Sequence, residues 1–139
     1  MTKKDKQNLK VKYALFCDYA LVSQDGKFSL IGEFDRLYSS QDTAVLNRGF
    51  LVAKIIGHPS QNLDLKVSLI NDSSKEELFK NDFSLKLDDR GVAALIIELS
   101  GMQFKTFGLY KAIIESDGDK VVEVDLDVAK VKQPTVAQS

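Results

Sequence analysis

The chain has 139 residues, with 19 Lys and Arg against 20 Asp and Glu, and it contains one Cys and one His. This length is that of one domain that buries its own core without disulfides or a metal. One Cys excludes an internal disulfide, one His excludes a site with several histidine ligands, and the balanced charge argues against a nucleic-acid partner. We therefore expect a single globular domain that has no cofactor and binds no nucleic acid.

Both ends of the chain lack the apolar periodicity of packed elements, so residues 1–10 and 132–139 are predicted to be tails around a domain spanning 11–131. The apolar stretch 13–22 carries Asp18 at its middle, which argues against a signal peptide, and no stretch has the length of a membrane helix. Cys17 lies inside that stretch and is interpreted as a buried thiol. A free thiol and no leader indicate a cytoplasmic protein without membrane association.

Apolar residues alternate with polar ones along most of the chain, which is typical of β-strands. The alternation is clearest in segments 63–70, 83–87, 92–99 and 121–128, and segments 13–22, 28–34, 50–56 and 109–115 are less regular candidate strands. Segment 13–22 also fits helical spacing, but the Asp25-Gly26 pair after it suits a tight hairpin, so we expect it to be extended. Segment 92–99 is apolar on both sides, which predicts a central strand.

These strands predict an all-β fold. Asp117-Gly118 marks a second tight turn, and no amphipathic segment between strands has the length of a crossover helix. We therefore expect an antiparallel β-sandwich of about 7–9 strands. Tyr110, in the sequence Gly108-Leu109-Tyr110, fits a tyrosine corner, whose hydroxyl bonds to backbone upstream, and favours an immunoglobulin-like sandwich. A Tyr that only packs on its strand is the alternative.

The inward side of the alternating segments predicts the hydrophobic core. Its members share an apolar side chain at every second position of a strand. They are Leu15, Leu30, Val52, Leu65, Val67, Leu85, Leu95, Ile97, Tyr110, Val122, Val124 and Leu126.

Asp18, Asp35 and Arg36 are the candidate ligand-binding residues. Asp18 interrupts an apolar strand, and a carboxylate in a half-buried strand needs a partner because isolated charge is costly to bury. A one-residue bulge in the second strand would place Phe34 opposite Asp18 and Arg36 diagonal to it. We expect an ion pair or a water-mediated link between Asp18 and Arg36 that fixes this edge of the sandwich. A polar ligand site at the same residues is the alternative.

No catalytic residue and no metal-ligand set is predicted. His58 lies in a Gly-His-Pro-Ser loop and is interpreted as a solvated side chain. Asp117, Asp119, Asp125 and Asp127 lie on one hairpin, but the last two are several residues from the turn, so a solvated face is expected. A C2-like calcium or lipid module would require such carboxylates to gather at one end of the sandwich.

A late loop offers a candidate interaction surface. It contains Met102, Phe104 and Phe107. If exposed, these side chains would form an apolar patch for a protein partner, and if buried, they would plug one end of the sandwich.

The segment Cys17-Asp18-Tyr19-Ala20, followed by Asp25-Gly26-Lys27 and Ile31-Gly32-Glu33-Phe34-Asp35-Arg36, resembles a group of small uncharacterised bacterial proteins. They are of about this length and open with the same two-strand block. The resemblance implies a bacterial, β-rich domain without an assigned activity.

Two classes of function remain. The first is a non-catalytic module that binds another protein or its own copy, because no nucleophile–base pair and no phosphate loop is visible. The second is a small-ligand-binding protein or enzyme that uses Asp18, Asp35 and Arg36. A concave pocket around these residues would favour the second class.

Overall fold

A computed structural model describes residues 9–131, and every regular element within them is a β-strand. The strands are β1 (Lys10–Val22), β2 (Phe28–Phe34), β3 (Arg36–Ser39), β4 (Ala44–Leu46), β5 (Phe50–Ile56), β6 (Asn62–Asn71), β7 (Glu77–Lys86), β8 (Val92–Glu98), β9 (Met102–Phe104), β10 (Gly108–Ser116) and β11 (Asp119–Lys130). β1 begins at Lys10 and Leu9 packs against the core, although the sequence placed both residues in the N-terminal tail. The rest of the predicted tails, residues 1–8 and 132–139, lies outside the described residues.

The strands form a sandwich of two sheets with a small ribbon. Sheet A has the order β2-β1-β5-β8, sheet B has the order β3-β11-β10-β6-β7, and β4 pairs with β9 in the ribbon. All pairs are antiparallel except β3 with β11, which is parallel. The prediction of an all-β, immunoglobulin-like sandwich is confirmed, and the extended form of segment 13–22 with it.

The described residues contain 11 strands, more than expected. The additional strands β3, β4 and β9 have four, three and three residues. Strands this short span barely one repeat of the alternation, so their sequences carry no readable pattern. Their pairing partners are distant in the chain, and only the tertiary structure brings them together.

The core lies between sheets A and B and receives side chains from both sheets and from the β4–β9 ribbon. Leu65, Val67, Leu95, Ile97, Tyr110 and Leu126 are buried there as predicted, and Leu85, Val122 and Val124 pack against it as partly buried residues. The core assignments of Leu15 and Leu30 are wrong, because both are half-buried and neither belongs to the core cluster. Val52 is buried, but it also lies outside that cluster.

The orientation of β1 and β5 explains the positions of Leu15 and Val52. Phe16 on β1 and its partner Leu51 on β5 face the core, together with Ala53 and Ile55. Leu15 and its partner Val52 therefore point away from it. β1 and β5 are apolar on both sides, so alternation could not decide which side faces inward.

The tyrosine corner is confirmed. The Tyr110 hydroxyl donates a hydrogen bond of 2.7 Å to the carbonyl oxygen of Thr106, four residues upstream. The Tyr110 ring meets Phe104 edge to face at a centroid distance of 4.9 Å. This contact closes one end of the core, because both side chains are fully buried.

Candidate functional site

The β1–β2 hairpin places Asp18 opposite Gly32. Cys17 pairs with Glu33 and Tyr19 with Ile31, so the predicted bulge that would set Phe34 opposite Asp18 is wrong. Gly32 has a φ of +72°, and a Cβ atom there would lie 2.5 Å from Asp18 Oδ2. The Asp18 carboxylate therefore lies directly against the Gly32 backbone, in space that any side chain would occupy.

Arg36 lies on the other sheet. It begins β3, which runs parallel to β11, and its Nε lies 3.2 Å from Oδ2 of Asp127. Its Nη1 donates a hydrogen bond of 3.1 Å to the Tyr38 hydroxyl. The hydrogen bond to Tyr38 and the charge of Asp127 raise the pKa of the guanidinium. The direct ion pair expected between Asp18 and Arg36 is not formed within residues 9–131, because the chain crosses to sheet B after Phe34.

Asp18 and Arg36 nevertheless line one groove of about 630 Å³, together with Tyr38 and Arg48. Asp35 is not part of it and lines a separate depression beside Arg36, Asp125 and Asp127. The structure thus divides the three predicted ligand-binding residues between two depressions. Tyr38 and Arg48 were missed, since they lie on a short strand and a loop without any motif.

The loop with the three apolar side chains is not an exposed patch. Phe104 is 0% exposed and belongs to β9, which pairs with β4. Met102 and Phe107 are half-buried and pack against the core. These residues therefore do not form the exposed apolar patch that an interaction surface would need, and Phe104 is buried in the core as the alternative expected.

The acidic residues of β11 form ordinary surface ion pairs. Lys111 Nζ lies 3.3 Å from Glu123 and 3.4 Å from Asp125. The hydrogen bond to Glu123, and after it the one to Asp125, raises the pKa of the Lys111 ammonium. Within residues 9–131, no group of three or more His, Cys, Asp or Glu is placed to hold a metal ion. No helix in the same residues is long and apolar enough to span a membrane.

The most unusual feature of the described residues is the outer face of sheet A. The side chains that point away from the core on its four strands are mostly apolar, and we call this surface the apolar face. It consists of Tyr13, Leu15, Cys17, Tyr19, Leu21, Ile31, Phe50, Val52, Ala94 and Ile96. Sheet B and the β4–β9 ribbon supply core residues from the opposite side, so no sheet within residues 9–131 covers it.

The apolar face is exposed at the end formed by β1 and β2, and its side chains are half-buried or buried over the rest. Ile31, Tyr19 and Leu21 are 57%, 41% and 40% exposed. The ring of Tyr19 meets that of Phe50 edge to face at 5.9 Å, and the Arg48 guanidinium lies 5.9 Å from the Tyr19 ring centre. Cys17 and Val52 are fully buried at the centre of the face, and burial raises the pKa of the Cys17 thiol. The prediction of a buried thiol is confirmed.

Sheet B provides an internal comparison. Its outward side chains are mostly charged or polar, among them Asp64, Lys66, Lys111, Glu123 and Asp125, while Ile70, Leu109 and Ile113 are apolar. A mostly polar outer surface is expected of an antiparallel sheet that faces water. The apolar face of sheet A breaks this pattern. It also corrects one prediction: β8 is an edge strand of sheet A, not a central one. β8 is apolar on both sides because its outward residues belong to the apolar face.

Comparison of the sequence with protein families gives one assignment. Residues 12–129 match DUF6941, a family of unknown function. The chain belongs to this family. Membership in DUF6941 confirms the resemblance to a group of uncharacterised proteins. Comparison with curated proteins gives no match.

Solved structures resemble this DUF6941 domain at low identity. A β-glucosidase from Listeria innocua in complex with glucose has a TM-score of 0.50 at 10% identity, over 90% of this chain and 16% of its own. The alkylpurine DNA glycosylase AlkC of Pseudomonas fluorescens, bound to DNA containing an abasic site analog, has a TM-score of 0.53 at 8% identity, over 88% and 30%. An immunoglobulin-like protein from Pseudomonas aeruginosa has a TM-score of 0.45 at 10% identity, over 86% and 95%. The likeness to the two enzymes concerns the fold alone, because this chain spans less than a third of either.

Proposed function

We propose that this protein is a non-catalytic, cytoplasmic interaction module that binds a protein partner through the apolar face. The observation that carries the proposal is the contrast between the outer faces of the two sheets. Removing apolar surface from water is favourable by about 25 cal/mol of free energy per Å². An apolar patch of several hundred Å² on a domain is typical of a binding surface.

The composition of the apolar face supports a protein partner in particular. Tyr13, Tyr19 and Phe50 are aromatic, and aromatic side chains are enriched in protein–protein interfaces. The edge-to-face contact of Tyr19 with Phe50 and the backing of two central β-strands hold these rings in place. Pre-organised side chains lose little conformational entropy when a partner covers them.

The proposal is tested by capture from an extract of cells that naturally express the chain. Ile96→Lys places a charge in the apolar face, and Ile70→Lys makes the same change at a half-buried isoleucine on the outer face of sheet B. We expect Ile96→Lys, and not Ile70→Lys, to lose the proteins that the wild type captures, including a second, differently tagged copy. Equal capture by all three, with cooperative unfolding of each variant as the folding control, would contradict the proposal.

A small-ligand site in the groove between Asp18 and Arg36 is the second candidate function. Asp18 is exposed and forms no ion pair within residues 9–131, while Arg36 and Arg48 supply positive charge nearby, which suits a small zwitterionic molecule. Because Asp18 is exposed and has no ion-pair partner among the described residues, Asp18→Asn is expected to change the free energy of unfolding by less than about 0.5 kcal/mol. In a thermal-shift screen of zwitterions, a ligand of the groove should raise the Tm of the wild type and not that of Asp18→Asn. A screen without any shift in the wild type would contradict this candidate.

A further inference from the structure

We propose that the partner on the apolar face is a second copy of this chain, stacked face to face about a two-fold axis that runs across the strands. This inference rests on the proposed function, because it names the partner of the same surface. The two outer faces would then form a second sandwich interface, with sheets stacked about 10 Å apart.

The sequences of residues 1–8 and 132–139 are poor in apolar side chains. Outside the described residues, the apolar side chains are only Met1, Pro134, Val136 and Ala137, scattered among Lys, Gln, Thr and Ser. An apolar sheet face needs a matching row of apolar side chains. A second copy of the face has such rows.

The size of the apolar face suits a dimer. Same-face rows along a strand repeat about every 6.8 Å and strands lie about 4.8 Å apart, so three strands over five rows span roughly 15 by 34 Å. Two such faces would bury on the order of 1,000 Å² in total, which is the lower end for a specific interface. We therefore expect a dimer of moderate affinity.

The charged residues at the margin of the apolar face select one arrangement. Leu15, Val52 and Ile96 form a fully apolar row across β1, β5 and β8. Lys54 lies in the next row on one side and Glu98 in the next row on the other. An axis centred on the apolar row sets Lys54 of each copy beside Glu98 of the other. Within one copy, Lys54 and Glu98 lie two rows apart, roughly 14 Å along the strands.

Other symmetric arrangements oppose like charges. Glu33, Cys17, Phe50 and Glu98 occupy one row across the sheet. An axis centred on that row would set Glu33 against Glu33 and Glu98 against Glu98 of the second copy. An axis parallel to the strands would set Glu33 against Glu98. Opposed carboxylates are unfavourable, so the arrangement centred on Val52 is preferred.

The first test measures the mass of the purified full chain by analytical ultracentrifugation, at concentrations up to about 100 μM, where a small interface associates. We expect a dimer for the wild type and for Ile70→Lys, and a monomer for Ile96→Lys. A wild-type monomer over this range overturns the inference. If the wild type is a monomer but captures another protein that Ile96→Lys does not capture, the proposed function still stands. A dimer that Ile96→Lys leaves unchanged also overturns the inference, since the contact would lie elsewhere.

The second test reverses the charges and keeps the apolar side chains, so it stays decisive if Ile96→Lys fails to fold. Lys54→Glu and Glu98→Lys are each expected to raise the dimer Kd about tenfold or more, because two contacts per dimer change from attractive to repulsive. The double variant Lys54→Glu/Glu98→Lys restores opposite charges and should return the Kd to within about threefold of the wild type. A double variant as weak as the single ones overturns the arrangement.

Discussion

Replacing Phe104 with alanine is expected to lower the free energy of unfolding by about 3–5 kcal/mol, the usual cost of truncating a fully buried aromatic side chain. Phe104 is 0% exposed and its ring packs edge to face on Tyr110, whose hydroxyl anchors the tyrosine corner. The cavity left by the ring would lie next to this corner and between Ala44 on β4 and the rest of the core. Chemical denaturation, monitored by circular dichroism, measures the effect.

The neighbouring residue on the same strand provides the control for Phe104. Gln103 is exposed, so Gln103→Ala is expected to change the free energy of unfolding by less than about 0.5 kcal/mol. If Phe104→Ala were as stable as Gln103→Ala, the ring would not be part of the core. The loop would then again be a candidate for the binding surface, in place of the apolar face.

Gly91→Ala is expected to destabilise the fold by about 2–5 kcal/mol, because two costs combine. Gly91 has a φ of +81°, a conformation that costs a residue with a Cβ atom about 1–2 kcal/mol. A Cβ atom there would also lie 2.3 Å from the carbonyl oxygen of Gly57, and overpacking against fixed atoms costs about 1–3 kcal/mol. The Gly57 backbone cannot withdraw freely, since its N–H donates a 2.8 Å hydrogen bond to the Gly91 carbonyl. The shift of the denaturation midpoint measures the effect.

Gly101→Ala separates the two costs of the Gly91 substitution. Gly101 has a φ of +86°, but a Cβ atom there would meet nothing within 4 Å. We expect this variant to show only the conformational cost of about 1–2 kcal/mol. Equal destabilisation by the two substitutions would contradict the close approach of Gly91 to Gly57 that joins the start of β8 to the end of β5.

The sequence alone determined the eight longer strands and the two tight turns that join β1 to β2 and β10 to β11. Alternation identified most of the longer strands, because side chains on a strand point to opposite faces whatever the surroundings, and β1 was recognised from the turn that follows it. The Asp25-Gly26 turn predicted that β1 and β2 form a hairpin, and Tyr110 predicted the corner that its hydroxyl makes with Thr106. These signals depend on contacts within a few residues or on a periodicity that is local.

The sequence also showed apolar residues of the apolar face, but it did not show that these residues form a surface. Segments 50–56 and 92–99 are apolar on both sides, which is also the sequence pattern of a strand buried on both faces. The structure places β8 at the edge of sheet A, so its outward apolar residues are part of a surface. A strand that is apolar on both sides has the same sequence pattern whether its own chain or a second molecule covers its outer side.

Only the tertiary structure decided which side of β1 and β5 faces the core and which residues accompany Arg36. Phe16 faces inward and Leu15 outward because sheet B packs against one side of sheet A, and both sides are hydrophobic enough to be covered. Arg36 binds Asp127, which is 91 positions away in the sequence, because β3 leaves the first hairpin and joins β11. Contacts between residues so far apart depend on how whole sheets are arranged, and local alternation carries no information about that arrangement.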